Sequence, residues 1–218
     1  MYQNESDKGL LMGFIADFRY RKISQTATIN DLLKEIFRKS IHLTASIVPV
    51  LASFSYKWTI IALSFVICIY IICEYRRITG NPIPIVSRIT AYAARKRDEG
   101  RFVLGPITMA LGILLSLLLF PPEAARIGIY ALAFGDGIAS LAGKLYGKTK
   151  IPYSGGKTLE GSLACFVAVY FSALVVSDNP FQSFAIALLA MVIEVLPLKD
   201  YDNLIIPLVI GGFYCLLP

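Results

Sequence analysis

Four carboxylates stand in this sequence where the surrounding residues are apolar. Asp136 lies between Gly135 and Gly137, Glu160 follows Lys157-Thr158, Glu194 is near the end of an apolar run, and Asp202 opens another beside Asn203. An ionised side chain in hydrocarbon costs a few kcal/mol, so such groups line cavities and act on ligands. The cations beside them suit an anion. Ser140 and Lys144 follow Asp136 at helical spacing, and Lys148, Lys150 and Lys157 fill the next loop. Gly155-Gly156 gives that loop the freedom to wrap a phosphate. Thr158 can cap the helix that follows, whose N-terminal dipole attracts phosphate. Carboxylates for a divalent cation, with Lys and Gly for phosphate, read as a site for a nucleotide or phospholipid headgroup at a membrane surface. Glu160 would also suit the helix dipole, and Asp202 a plain N-cap.

The elements that hold these residues are apolar runs of spanning length. Ile41 to Cys73 makes two short spans that turn at Lys57. Gly105–Phe120, Ile127–Lys144, Leu159–Val176, Phe181–Leu196 and Leu204–Leu217 make five more. The expected fold is therefore all-α, a bundle of about seven transmembrane helices. Residues 1–40 are expected to be cytoplasmic or interfacial, with Leu10–Tyr20 lying flat on the membrane, and residues 41–218 to form one catalytic transmembrane domain. Asn30 or Asp31 is the expected cap of the helix that leads into the first span. On it Glu35, Arg38, Lys39 and His42 recur at i, i+3, i+4 and i+7, which places them on one face. Lys and Arg concentrate in alternate loops, leaving only Lys57 and Arg126 on the other side. That distribution predicts a cytoplasmic N-terminus, an external C-terminus and a cytoplasmic site.

Composition narrows the class. Of 218 residues, 56% are hydrophobic and 17% charged, too apolar for a soluble domain of this size. The net charge of +6 belongs mainly to the loops that set topology, so nucleic acid is excluded as a partner. Cys68, Cys73, Cys165 and Cys215 stand singly without metal or disulfide spacing and read as buried free thiols. Gly156-Lys157-Thr158 looks like the end of a P-loop, but the first glycine of that motif would fall at Ile151 and no strand precedes it. A transporter of a phosphorylated solute would also use glycine-rich helices with buried charge. The charges here cluster at one face, and there is no internal repeat.

Asp136, Ala139, Gly143, Gly147, Lys148, Lys157, Thr158, Glu160 and Gly161 together resemble the nucleotide-binding pattern of the membrane CTP-dependent lipid kinases, which include dolichol, phytol and farnesol kinases and the CTP-type diacylglycerol kinase. Arg38-Lys39 with His42, Glu99-Gly100-Arg101, and Glu194 followed by Asp202-Asn203 and Pro207 extend the likeness in order. The resemblance implies transfer of the γ-phosphate of CTP to the hydroxyl of a membrane lipid alcohol, with Mg²⁺ or another divalent cation. It implies Asp136, Glu160 and Asp202 as metal ligands, and Asp136, Glu194, Asp202 and His42 as catalytic groups. Ser140, Lys144, Lys148, Gly155, Gly156, Lys157, Thr158, Asn203, Arg38 and Lys39 would bind nucleotide or headgroup. Expected partners are CTP, the lipid alcohol and the bilayer, with a homodimer admitted. Phosphatidate cytidylyltransferase shares the Asp and Lys-Thr-x-Glu-Gly portion. Its His-Gly-Gly signature is missing after Lys199-Asp200, so it is the alternative reading.

Overall fold

The computed structural model describes residues 29–95, 98 and 100–218. Leu10–Tyr20 and Glu99 lie outside the described residues. The described chain is all-α, with no strand beyond one isolated bridge between Lys150 and Thr158.

Helix α1 covers residues 29–44, so Asn30 and Asp31 are already helical and neither caps it. A short 3-10 turn, Ala45–Ile47, leads into α2, Val48–Phe54, and α3 follows as Tyr56–Ile78. The break falls at Ser55, whose extended backbone (φ −155°, ψ 93°) ends α2, and Lys57 sits in the first turn of α3. Next come α4, Pro84–Ala93, and α5, Gly105–Leu119. Helix α6, Pro122–Tyr130, passes through a wide π turn, Ala131–Asp136, into α7, Gly137–Tyr146. The last three are α8, Leu159–Ser177; α9, Pro180–Val195; and α10, Asp202–Tyr214.

Among the described residues three stretches are long and apolar enough to cross a membrane: α3, the continuous helix Pro122–Tyr146, and α8. Helices α5, α9 and α10 are apolar but shorter, at 15, 16 and 13 residues. The Pro122–Tyr146 helix is central, with 67% of its most apolar window buried against 22% for α3. Ala125, Ile127, Ile129, Leu132 and Ala133 along it form the middle of the core, met by Val169 of α8, Ile186 and Ala187 of α9, and Ile206 and Ile210 of α10. Burial of a wholly apolar helix face on all sides is what a central bundle helix requires.

Small residues set the spacing. A Cβ on Gly135 would come within 2.8 Å of Val169 Cγ2, and one on Gly161 within 2.8 Å of the Ala139 carbonyl oxygen. The neighbour that approaches Gly135 is thus a packed helix, α8, and not a ligand. The thiols divide: Cys73 and Cys165 are buried, but Cys68 and Cys215 are exposed, against the expectation of burial for all four.

The bundle has two chemically different ends. Tyr56 Oη donates to the Leu117 carbonyl (2.9 Å) and Gln182 Nε2 to the Pro218 carbonyl (2.5 Å) at one end. The charged residues with roles expected from sequence gather at the other.

Candidate active site

Two polar helix faces zip together at that end. Glu35 and Lys39 of α1 meet Asp136, at the end of the π turn, and Ser140 and Lys144 of α7, which recur every four residues and so form one stripe. The helices run antiparallel, because Lys39 meets Asp136 and the earlier Glu35 meets the later Ser140 and Lys144. Lys39 Nζ donates to Asp136 Oδ2, and both side chains are buried. Glu35 accepts from Ser140 Oγ (2.5 Å) and Arg38 (2.5 Å) and pairs with Lys144 (2.7 Å). Burial alone would raise the Glu35 carboxyl, but Arg38, Lys144, Ser140 and Lys39 outweigh it and hold its pKa at about 2. His42, one turn beyond Lys39, puts Nδ1 3.2 Å from Asp136 Oδ2, outside hydrogen-bond alignment.

The loop between α7 and α8 brings the third lysine. Gly155 and Gly156 take left-handed backbone (φ 74° and 98°), which only glycine adopts without strain. Ile151 N donates to the Lys157 carbonyl (2.9 Å) and Leu159 N to the Thr149 carbonyl (2.9 Å), closing the loop on itself. Ser154, buried inside, donates to the Ile151 carbonyl (2.7 Å) and accepts from Lys157 N (3.1 Å). The Lys157 ammonium then reaches α9, donating to the Glu194 carbonyl and lying 3.4 Å from Glu194 Oε1. Glu194 Oε2 accepts from Ser162 Oγ of α8 (2.9 Å). Thr158 caps α8 as expected, accepting from Gly161 N (3.2 Å).

These elements enclose a chamber of about 220 Å³. Its wall carries four cations, Lys39, Arg95, Lys144 and Lys157, and three carboxylates, Asp136, Glu194 and Asp202. Ser140, Gly155, Gly156 and Thr158 complete the polar lining. Asp202 Oδ1 accepts from Asn203 N (2.8 Å); its other oxygen has no hydrogen bond among the described residues.

Several expected members lie elsewhere. Glu160 is outside the lining; both its oxygens accept from Thr149 N (3.1 and 3.3 Å), fixing the loop to the start of α8. Lys148 is exposed and also outside. Asn203 Nδ2 donates to the Gly105 carbonyl (3.2 Å) and Thr108 Oγ1 (3.3 Å), tying α10 to α5. His42 and Arg38 line a neighbouring cavity. Among the described residues no three His, Cys, Asp or Glu side chains converge to hold a metal. A trio of Asp136, Glu160 and Asp202 is therefore not assembled; Asp136 and Asp202 alone share the chamber. Glu35, Arg95, Ser154 and Ser162 were not singled out for the site. Only Glu35 carried a signal, its place on the α1 polar face.

Phytol kinase 1 from Arabidopsis thaliana is 28% identical to the chain over 199 residues, 82% of this chain and 65% of that protein. Dolichol kinase from Saccharomyces cerevisiae is 34% identical over 120 residues, 53% of this chain and 22% of that protein. The chain is thus similar to the phytol and dolichol kinases. An uncharacterized protein of Methanocaldococcus jannaschii is 32% identical over 182 residues, 82% of this chain and 92% of its own. The chain thus spans nearly all of the archaeal relative but less than two thirds of the length of these kinases. No protein-family model and no solved structure matches it.

Proposed function

We propose that the chain is a membrane lipid kinase that transfers the γ-phosphate of CTP to the hydroxyl of a lipid alcohol. The observation that carries this reading is a convergence: Asp136, Ala139, Gly143, Lys157, Thr158 and Gly161, which carry the resemblance to CTP-dependent lipid kinases, all line one chamber. Phosphoryl transfer asks mainly for charge neutralisation and in-line positioning, and four cations around about 220 Å³ supply both.

In this reading Lys39, Lys144 and Lys157 hold the phosphates and the Gly155-Gly156 backbone wraps them. The alcohol oxygen forms a bond to the γ-phosphorus, the bond from that phosphorus to the β-bridging oxygen breaks, and CDP leaves. The hydroxyl proton passes to Asp202, which lines the chamber and keeps one oxygen without a hydrogen bond among the described residues, while Glu194 is held by Ser162 and positions Lys157. Mg²⁺ fits only as a phosphate-bound ion. Asp136 would be the residue that holds such an ion, together with the bound phosphates. Such an ion offsets phosphate charge. The Lys/Arg distribution supports seven spans, a cytoplasmic N-terminus and a chamber on the cytoplasmic side.

The test is incubation of purified protein with a lipid extract and CTP labelled separately at the α and γ positions. Label from the γ position alone is expected in a phospholipid product. Label from the α position, with release of pyrophosphate, would establish cytidylyl transfer instead. Asp136→Asn is expected to lower γ transfer at least ~100-fold. Full activity in that variant, with the protein still monodisperse in detergent, removes Asp136 from the chemistry.

A further inference from the structure

At the bundle end away from the chamber, α2, the start of α3, the end of α5 and the start of α6 enclose a cavity of about 610 Å³. Small-molecule sites occupy about 300–1,000 Å³. On the continuous helix Pro122–Tyr146, Arg126 precedes Asp136 by about 15 Å of rise, so this cavity is separate from the chamber. Pro49, Ala52, Leu117, Leu118 and Phe120 make its wall apolar, and Arg126 is its one charged lining residue. The other polar groups of the wall have spent their protons. Tyr56 Oη donates to the Leu117 carbonyl (2.9 Å) and Ser53 Oγ to the Val50 carbonyl (2.7 Å). Arg126 has not. Its Nε is buried and has no hydrogen-bond partner among the described residues. Glu123, one turn earlier and well spaced for an ion pair, instead accepts from Tyr214 Oη on α10 (3.4 Å).

We propose that this cavity binds one anionic phospholipid from the leaflet away from the chamber, with its phosphodiester on the Arg126 guanidinium and one hydrocarbon chain along Leu117, Leu118 and Phe120. A guanidinium left unpaired among apolar side chains costs free energy, and a phosphate matches its planar fork with two parallel hydrogen bonds. The ligand is a lipid because the wall around the cation is apolar, and a free anion would leave that surface uncovered. Leu118 is 52% exposed, so the cavity opens at the flank of the bundle. Phe54 and Trp58, close in sequence to the lining residues Ser53 and Tyr56, are exposed aromatics of the kind that settle at headgroup level. The lipid is anionic because Lys57, in the first turn of α3 next to Tyr56, adds positive charge to this end and disfavours a headgroup with a cation of its own. The site does not depend on the lipid-kinase reading, only on the bundle spanning a membrane. Its lipid is a fixed part of the corner between α5 and α6, not a substrate.

Native mass spectrometry of the detergent-purified protein tests this, with dioleoylphosphatidylglycerol and dioleoylphosphatidylcholine titrated separately. The most tightly held phosphatidylglycerol is expected at one per chain, bound at least ~5-fold more tightly than phosphatidylcholine. Arg126→Gln is expected to weaken it at least ~10-fold and to leave phosphatidylcholine unchanged. Ser53→Glu, at an exposed position of the wall, sets a carboxylate before the guanidinium and is expected to act the same way. It keeps the question answerable if Arg126→Gln does not fold. A phosphatidylglycerol bearing a diazirine in one acyl chain is expected to label α5 near Leu118. Equal affinity in wild type and both variants, equal retention of the two lipids, or label confined to peptides of the chamber overturns the site. So does a wild-type dimer that retains no lipid and dissociates in Arg126→Gln, since a second copy of the chain would then fill the cavity.

Discussion

Glu35 shows how a residue remote in sequence becomes part of a site. It is 3% exposed and surrounded by Arg38, Ser140 and Lys144, so its ionised form is stabilised by folding. Its pKa falls from an ordinary 4.5 to about 2. A lowered carboxylate pKa contributes stability that is fully present above 4.5 and disappears as pH falls toward 2. Glu35→Gln is expected to cost about 2 kcal/mol at neutral pH. Thermal unfolding of both proteins from pH 7 to pH 3 checks it: the gap should shrink on acidification, and a constant gap would exclude the ionic contribution. The sequence made Asp136, Lys157 and Thr158 conspicuous, because a charge or a cap in an apolar run is a local signal. Arg95, Ser154 and Ser162 gave none. An arginine in a basic loop and serines in ordinary surroundings acquire roles only through partners such as Asp200 (3.2 Å from Arg95) and Glu194, far along the chain. Glu160 misled for the opposite reason: its spacing after Lys157-Thr158 suggested a ligand, and the nearby Thr149 amide took both its oxygens.

Helix α7 and helix α8 meet through glycines. The Cβ that alanine would add at Gly161 falls 2.8 Å from a backbone oxygen, Ala139 O, which cannot swing aside. Gly161→Ala is expected to cost about 1–3 kcal/mol and to shift the Thr158 cap with it. Gly212→Ala, whose added atom meets Phe120 only at 3.6 Å, serves as the control. A melting temperature lowered by Gly212→Ala as much as by Gly161→Ala would remove this explanation. At this scale the helices were largely legible, since the apolar runs and the Thr158 cap mark their limits. The π turn at Ala131–Asp136 was not. Gly135 aside, its residues, Ala-Leu-Ala-Phe-Gly-Asp, read as an ordinary α-helix. It matters because it sets the direction in which Asp136 leaves the helix, at the kind of position where such turns recur.

For the whole molecule, the two unlike ends lead to a topological expectation. The C-terminus lies at the end away from the chamber, and Cys215 beside it is exposed, whereas Cys73 and Cys165 are buried. A membrane-impermeant maleimide applied to intact cells is expected to modify Cys215 and to lose that label in Cys215→Ser. Modification only after the membrane is opened would reverse the orientation. The three short helices α5, α9 and α10 have a further effect. At 1.5 Å per residue they reach only about 20–24 Å, against a hydrocarbon layer of about 30 Å. In a membrane-spanning bundle, hydrophobic mismatch of that size is met by drawing the leaflets inward. Under the lipid-kinase reading, a headgroup plane lowered there would let a lipid hydroxyl meet the lysines without being hauled out of the oil. Helices that look too brief to span would thus shorten the journey of the substrate.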